Sequence, residues 1–193
     1  FNPDIVHSHM YHANIFSRLL RLIRRMPALV CTAHNTVEGG RLRMFMYRVT
    51  DKLSTINTNV SQDAVDSFIG QGAVSSHRMI YMPNGIDVSH FCYVESHREK
   101  RRNEINISND ELLLLSVGRL TAAKDYNNLL HAFSIFLENN CAKLAIIGTG
   151  ELEAELKNLA KELAIDSHVI WLNRRDDVFQ WMSAMDVYVM SSA

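Results

Sequence analysis

The chain has 193 residues, 47% of them apolar and 21% charged, with 20 Lys and Arg against 21 Asp and Glu. That length can bury one large or two small cores, and the near-neutral balance excludes the strongly basic class that binds nucleic acid through its phosphates. No apolar run approaches the roughly 20 residues of a membrane span. Cys31, Cys92 and Cys141 show no C-x-x-C spacing, so zinc and redox motifs fall away and a reduced, cytosolic protein is expected.

Short apolar or β-branched runs predict strands over residues 4–6, 28–32, 54–57, 79–82, 112–117, 144–147, 169–172 and 187–190. Helical periodicity fills most of the intervals, most clearly over 14–25, 41–52, 61–69, 126–139, 151–163 and 178–185. Such alternation predicts α/β architecture with parallel sheets covered by helices. In the first helix Arg18, Arg21, Arg24 and Arg25 accompany Leu19, Leu20, Leu22 and Ile23, a mixture suited either to an anionic membrane surface or to a solvated face over a core stripe. Ser61 is the expected N-cap of the third helix, and Gly70 and Gly72 mark its end.

The turn Pro83-Asn-Gly-Ile-Asp87 and the charged run over 95–104 separate two regions. We therefore expect a Rossmann-like domain over 1–90, a linker over 91–110 and a second Rossmann-like domain over 111–193. Nine Lys and Arg accompany six Asp and Glu in residues 1–90, against eleven and fifteen in 91–193, so the halves differ in sign. The chain opens at Phe1 and closes on Ala193 as a strand runs into a loop, so it reads as an internal fragment with both domains incomplete.

The most chemically specific segment is Val117-Gly-Arg-Leu-Thr-Ala-Ala-Lys-Asp125, directly after the apolar run 112–115. Open α/β sheets bind ligands at such strand ends, where Gly118 permits a tight turn and Arg119 and Lys124 can converge on one anion such as a diphosphate. The plainer reading is two surface cations beside a helix entry. His7, His9 and His34 follow the first two strands, where imidazoles can hydrogen-bond a sugar hydroxyl or stabilise developing charge. With His12 they could alternatively gather on a metal, although no carboxylate or cysteine accompanies them at ligand spacing. Gly148-Thr-Gly150 begins a dinucleotide fingerprint, but Glu153 stands at its third glycine, leaving a strand-to-helix turn near phosphate. Asn173 and Arg174 lie in a further such loop, which Asp176 or Asp177 could cap.

In their order and spacing these residues resemble the retaining family-4 glycosyltransferases of the GT-B fold, especially those of bacterial polysaccharide and lipopolysaccharide synthesis. The likeness runs through Pro3 to His9, Thr32-Ala-His34-Asn, Asn59-Val-Ser61, Pro83 to Asp87, Gly118-Arg-Leu with Lys124-Asp, Ile147-Gly-Thr-Gly150, the loop 171–178 and residues 186–192. It implies a nucleotide-diphospho-sugar donor held between two Rossmann-like domains, with no metal and no separate cofactor. Arg119 and Lys124 would contact the donor diphosphate and His34 would face the transferred sugar. His9 would line the pocket, and Gly118, Gly148, Gly150, Asn173 and Arg174 would belong to the donor side. Asn173 replaces a glycine common in that family. Its glycine-rich first loop and E-x7-E pair fall outside residues 1–193.

The resulting expectation is a cytoplasmic transferase moving a hexose or N-acetylhexosamine, with retention, to a glycan or lipid-linked acceptor in surface polysaccharide, lipopolysaccharide or glycolipid synthesis. Peripheral contact with the inner membrane is expected, and nucleic acid is not. A nucleotide-sugar epimerase of the same fold and a non-catalytic nucleotide-sugar-binding scaffold remain as alternatives.

Overall fold

Each apolar run is followed by a stretch long enough to carry the chain back across a sheet, so the strands pair in parallel. The computed structural model describes residues 2–24, 26–36 and 38–192. The chain folds as two units, Phe1–Gly85 and Ile86–Ala193.

The first unit comprises β1 (Ile5–His9), α1 (Tyr11–Ile23), β2 (Ala28–Ala33), α2 (Arg41–Thr50), β3 (Ile56–Asn59), α3 (Gln62–Gly70) and β4 (Met79–Tyr81). Its sheet has the order β1-β2-β3-β4. Met44, Tyr47, Val65, Phe68 and Val74 form the centre of its core. Ser61 caps α3 as expected, accepting from the Ala64 amide at 3.2 Å.

The arginines of α1 require a correction. Arg18 is fully buried. It donates to the Tyr47 carbonyl, Thr50 Oγ1 and Asn57 Oδ1 at 3.1, 3.0 and 2.5 Å, and lies over the Tyr47 ring. Arg21 reaches the Leu53 and Pro27 carbonyls and Thr55 Oγ1. The side chains turned outward are Phe16, Leu19, Leu22 and Ile23, while Arg24 is exposed and Arg25 lies outside the described residues. The helix follows its polar partners: α2 and β3 offer acceptors beneath it, and a buried cation must take them.

The second unit comprises α4 (Glu95–Glu104), β5 (Leu112–Val117), α5 (Tyr126–Leu137), β6 (Ala142–Ile147), α6 (Glu153–Glu162), β7 (Val169–Trp171), α7 (Val178–Ala184) and β8 (Val187–Tyr188). The order β7-β6-β5-β8 reverses direction at β5. Strand alternation sends Leu114, Leu144 and Ile146 to the side of α5 and α6, and Leu113, Leu115 and Ala145 to the side of α7. Two-sided burial explains why β5 reads as a continuous apolar run.

The charged segment read as part of a linker folds as α4. Arg98 donates to the Ala184 and Met185 carbonyls at the C-terminal end of α7, and pairs with Asp186 at 2.7 Å. Arg102, buried, donates to the Ala184 and Ser108 carbonyls. A run of charge therefore packs against α7 because its cations satisfy the orphan carbonyls of that helix end.

Candidate functional site

In the second unit the loops after β5, β6 and β7 are laced together by backbone hydrogen bonds. Gly118 N donates to Ile147 O at 2.9 Å, Leu120 N to Thr149 O at 3.1 Å, and Gly148 N to Asn173 O at 2.9 Å. Two glycines make this approach possible. A Cβ on Gly148, whose φ is +152°, would lie 1.8 Å from Gly118 O, and one on Gly150 would lie 2.2 Å from Leu120 O. Asn173 adopts φ +54°, a left-handed conformation that Asn tolerates far better than branched residues do, which accounts for Asn where glycine was the family expectation.

These loops enclose a cleft of about 440 Å³ at the C-terminal ends of the strands, lined by Gly118, Arg119, Gly148, Thr149, Arg174 and Arg175 together with Val117, Ile147 and Val178. Arg119 and Arg174 are exposed and have no carboxylate partner among the described residues. An anion entering there meets two unpaired guanidinium groups beside backbone donors, in the crevice where parallel sheets place ligands.

Lys124 is placed differently from Arg119. Its Cδ and Cε run past Gly118, 3.6 Å from where a Cβ would stand, and its Nζ donates to Ser192 Oγ at 3.3 Å. The Ser191 hydroxyl in turn donates to Lys124 O at 2.8 Å. The lysine thus stands beside the cleft, toward the segment that follows β8. Asp125 is the N-cap of α5 and accepts from the Asn128 amide. Gly150 and Asn173 shape the loops without lining the cleft, whereas Thr149 and Arg175 line it and were not singled out from the sequence.

In the first unit a second cleft, about 150 Å³, is lined by His7, His9, Thr32, His34 and Thr58 together with residues 82–85. His7 and His9 share one face of β1, and the register sets His9 against Thr32 and Thr32 against Thr58. His9 Nδ1 and His34 Nε2 are 3.0 Å apart. His7 Nε2 lies 2.7 Å from Thr32 Oγ1, which is 2.6 Å from Thr58 Oγ1. Burial, then the neighbouring His9 and His34, lower the His7 pKa, so its neutral form is favoured. His12 does not join them; it packs edge-on against Tyr11. Among the described residues no three His, Cys, Asp or Glu groups are arranged to hold a metal ion.

The turn carrying His34 has a buried support that the sequence did not disclose. Glu38, 4% exposed, accepts from the His34 amide through Oε1 at 3.3 Å and from the Tyr47 hydroxyl through Oε2 at 2.5 Å. Burial, then the Glu38 hydrogen bond, push the Tyr47 pKa far up, so the phenol stays a donor. Only the three-residue spacing of Tyr47 from Met44 and Thr50, buried positions on α2, hinted that it faces inward.

Parallel α/β units with glycine-laced loops and an arginine-lined cleft at the strand ends are of the kind in which open sheets receive anionic ligands. Residues 97–193 match the family described as "Glycosyl transferases group 1", and residues 1–90 match "Glycosyltransferase Family 4". The chain belongs to the group 1 glycosyl transferases. It is similar to the putative glycosyltransferase EpsF of Bacillus subtilis, with 26% identity over 97% of this chain and 51% of that protein. It is also similar to an Escherichia coli UDP-Gal:alpha-D-GlcNAc-diphosphoundecaprenol alpha-1,3-galactosyltransferase, at 23% identity over 98% of this chain and 52% of the relative. The crystal structure of Anabaena HepE in complex with UDP shares the fold, with a TM-score of 0.83 and 20% identity over 98% of this chain and 53% of that one. The chain thus spans about half the length of these relatives.

Among the described residues no helix is long and apolar enough to cross a membrane.

Proposed function

We propose that the full-length protein transfers a hexose or N-acetylhexosamine from a nucleotide-diphospho-sugar to a glycan or lipid-linked acceptor, with retention of configuration and without a metal. The observation that carries this reading is the arginine-lined cleft over Gly118 and Gly148, within a chain of the glycosyl transferase family. Arg119 forks onto diphosphate oxygens, and Lys124 adds a point charge as the sugar–phosphate bond breaks. Each charge-assisted contact is worth about 1.5–3 kcal/mol. If those contacts tighten as charge develops, two of them supply on the order of 10²–10⁴ in rate. Backbone donors around Gly148 and Gly150 and the loop at Asn173 and Arg174 serve the nucleotide side. His34, held by Glu38 and paired with His9, acts on the transferred sugar.

Surface polysaccharide, lipopolysaccharide or glycolipid synthesis is the proposed setting, supported by the diphosphoundecaprenol acceptor named for the E. coli relative. A cytoplasmic protein resting peripherally on the inner membrane fits that setting. The surface supporting such contact is the apolar outer side of α1, Phe16, Leu22 and Ile23, with Arg24 beside it.

Turnover of UDP-, GDP- and ADP-sugars by the full-length protein, with and without lipid-linked acceptors, tests the proposal. Acceptor-dependent release of nucleoside diphosphate that falls with Arg119→Ala is expected. Interconversion of the donor sugar without an acceptor would favour an epimerase, and binding without turnover a scaffold.

A further inference from the structure

We infer that Glu104, on α4, is a positioning residue for the nucleotide cleft: through Arg175 it fixes the loop 173–177, whose Arg174 faces the same cleft as Arg119. This role presupposes the nucleotide-sugar reading of that cleft.

Arg175 lines the cleft, yet its nitrogens are already committed. Nε and Nη2 donate to the two carboxylate oxygens of Asp177, each at 2.9 Å, and Nη1 donates to Glu104 Oε1 at 3.0 Å. On the far side of Glu104, Arg101 donates to its other oxygen, Oε2, and Arg101 Nη2 lies 2.5 Å from Asp177 Oδ2. Both guanidinium groups stand over one buried indole, Trp181, at 5.4 and 5.8 Å from its centre. Two cations so close repel each other unless carboxylates sit between them, and Glu104 and Asp177 supply two negative charges for those two positive ones. Burial alone would raise the Glu104 pKa, but Arg101 and Arg175 outweigh it and hold the carboxyl below its usual range. Asp177 is drawn down to about 2, chiefly by its fork to Arg175.

The loop is therefore pinned at both ends. Its first residue is held by the bond from the Gly148 amide to Asn173 O, and its last by this four-charge clasp. Arg174 lies between those pins and keeps a free guanidinium in the cleft. Without the Glu104 charge, Asp177 alone stands between Arg101 and Arg175, and the pin at the far end of the loop is weakened.

The test is calorimetric titration of the full-length protein with UDP, GDP and ADP, comparing wild type, Arg119→Ala, Glu104→Gln and Glu104→Asp. Members of one charge network couple by enough to predict a roughly 3- to 30-fold weaker Kd in Glu104→Gln. Partial recovery of that affinity is expected in Glu104→Asp, which keeps the charge. The double variant Glu104→Gln with Arg175→Gln is expected to bind no more weakly than Arg175→Gln alone. Wild-type affinity in Glu104→Gln, beside a loss in Arg119→Ala, would overturn the role of Glu104 and leave the cleft reading standing. Absence of any nucleoside diphosphate binding by the wild type would overturn both. If Glu104→Gln does not fold, Arg175→Lys, which keeps the charge but loses the fork, takes its place. The same weakening is expected there, and wild-type affinity in it contradicts the inference.

Discussion

The carbonyl oxygen of Gly118 lies 1.8 Å from the point at which a side chain on Gly148 would begin, so the loops after β5 and β6 stay in contact only while residue 148 has none. Gly148→Ala is accordingly expected to destabilise by at least about 2 kcal/mol, since alanine must both clash with backbone and hold a positive φ. Nucleoside diphosphate binding is expected to fall with it. Gly85→Ala, where no atom stands within 4 Å of the added carbon, is the control and is expected to be neutral. Urea denaturation of both variants checks the pair.

The buried guanidinium of Arg18 makes a second stability prediction. Arg18→Ala leaves Asn57 Oδ1 and the Thr50 hydroxyl without their buried donor, at a cost of about 2–4 kcal/mol. Arg24→Ala, on the exposed end of the same helix, is expected within about 0.5 kcal/mol of wild type. Equal denaturation midpoints for the two variants would contradict the inward orientation of Arg18.

Acid should loosen the second unit through its depressed carboxylates. Asp177, Glu104 and Asp186 all have folded pKa values below their ordinary ones. The unfolded chain therefore binds protons first as pH falls. Their contribution to stability is complete above the ordinary carboxylate range near pH 4 and is lost as pH drops toward about 2, the folded value for Asp177. In Asp177→Asn the pH dependence of the urea midpoint between pH 5 and 2 is expected to flatten. An unchanged slope would show that the clasp carries no linkage.

The histidine cleft gives a kinetic prediction. His34→Ala is expected to lower kcat by roughly 10²–10³ while donor affinity changes little, because a group that acts on charge developing at the sugar is felt in the transition state. Glu38→Gln keeps an acceptor for the His34 amide and is expected to lose much less. Steady-state kinetics with the preferred donor and acceptor decide between them.

Much of the architecture was legible in the sequence, because parallel sheets write their strands as apolar runs. The run 112–117 forms β5 to the residue, and α2, α5 and α7 begin where periodicity placed them. The place of Gly118 and Arg119 at a strand-end cleft was legible because a glycine turn and a cation follow a buried strand. The polar interior was not. Arg18 and Glu38 look like surface residues until α2 and β3 supply their partners, and a basic helix face carries no mark of which way it turns. The segment 95–104 read as part of a linker for the same reason: Arg98 and Arg102 are satisfied by carbonyls at the end of α7 and by Asp186, more than 80 residues further along the chain. The close approach of Gly148 to Gly118 depends on two loops meeting, and no local spacing encodes that.

The cleft at Arg119 is proposed to hold a nucleoside diphosphate. Calorimetric titration of the full-length protein with UDP, GDP, ADP and CMP, wild type beside Arg119→Ala and Lys124→Ala, tests it most directly. One diphosphate is expected to bind the wild type, with affinity roughly 10- to 100-fold lower in each variant, the equivalent of about 1.5–3 kcal/mol per contact. Undiminished binding in Arg119→Ala would contradict the assignment of the cleft.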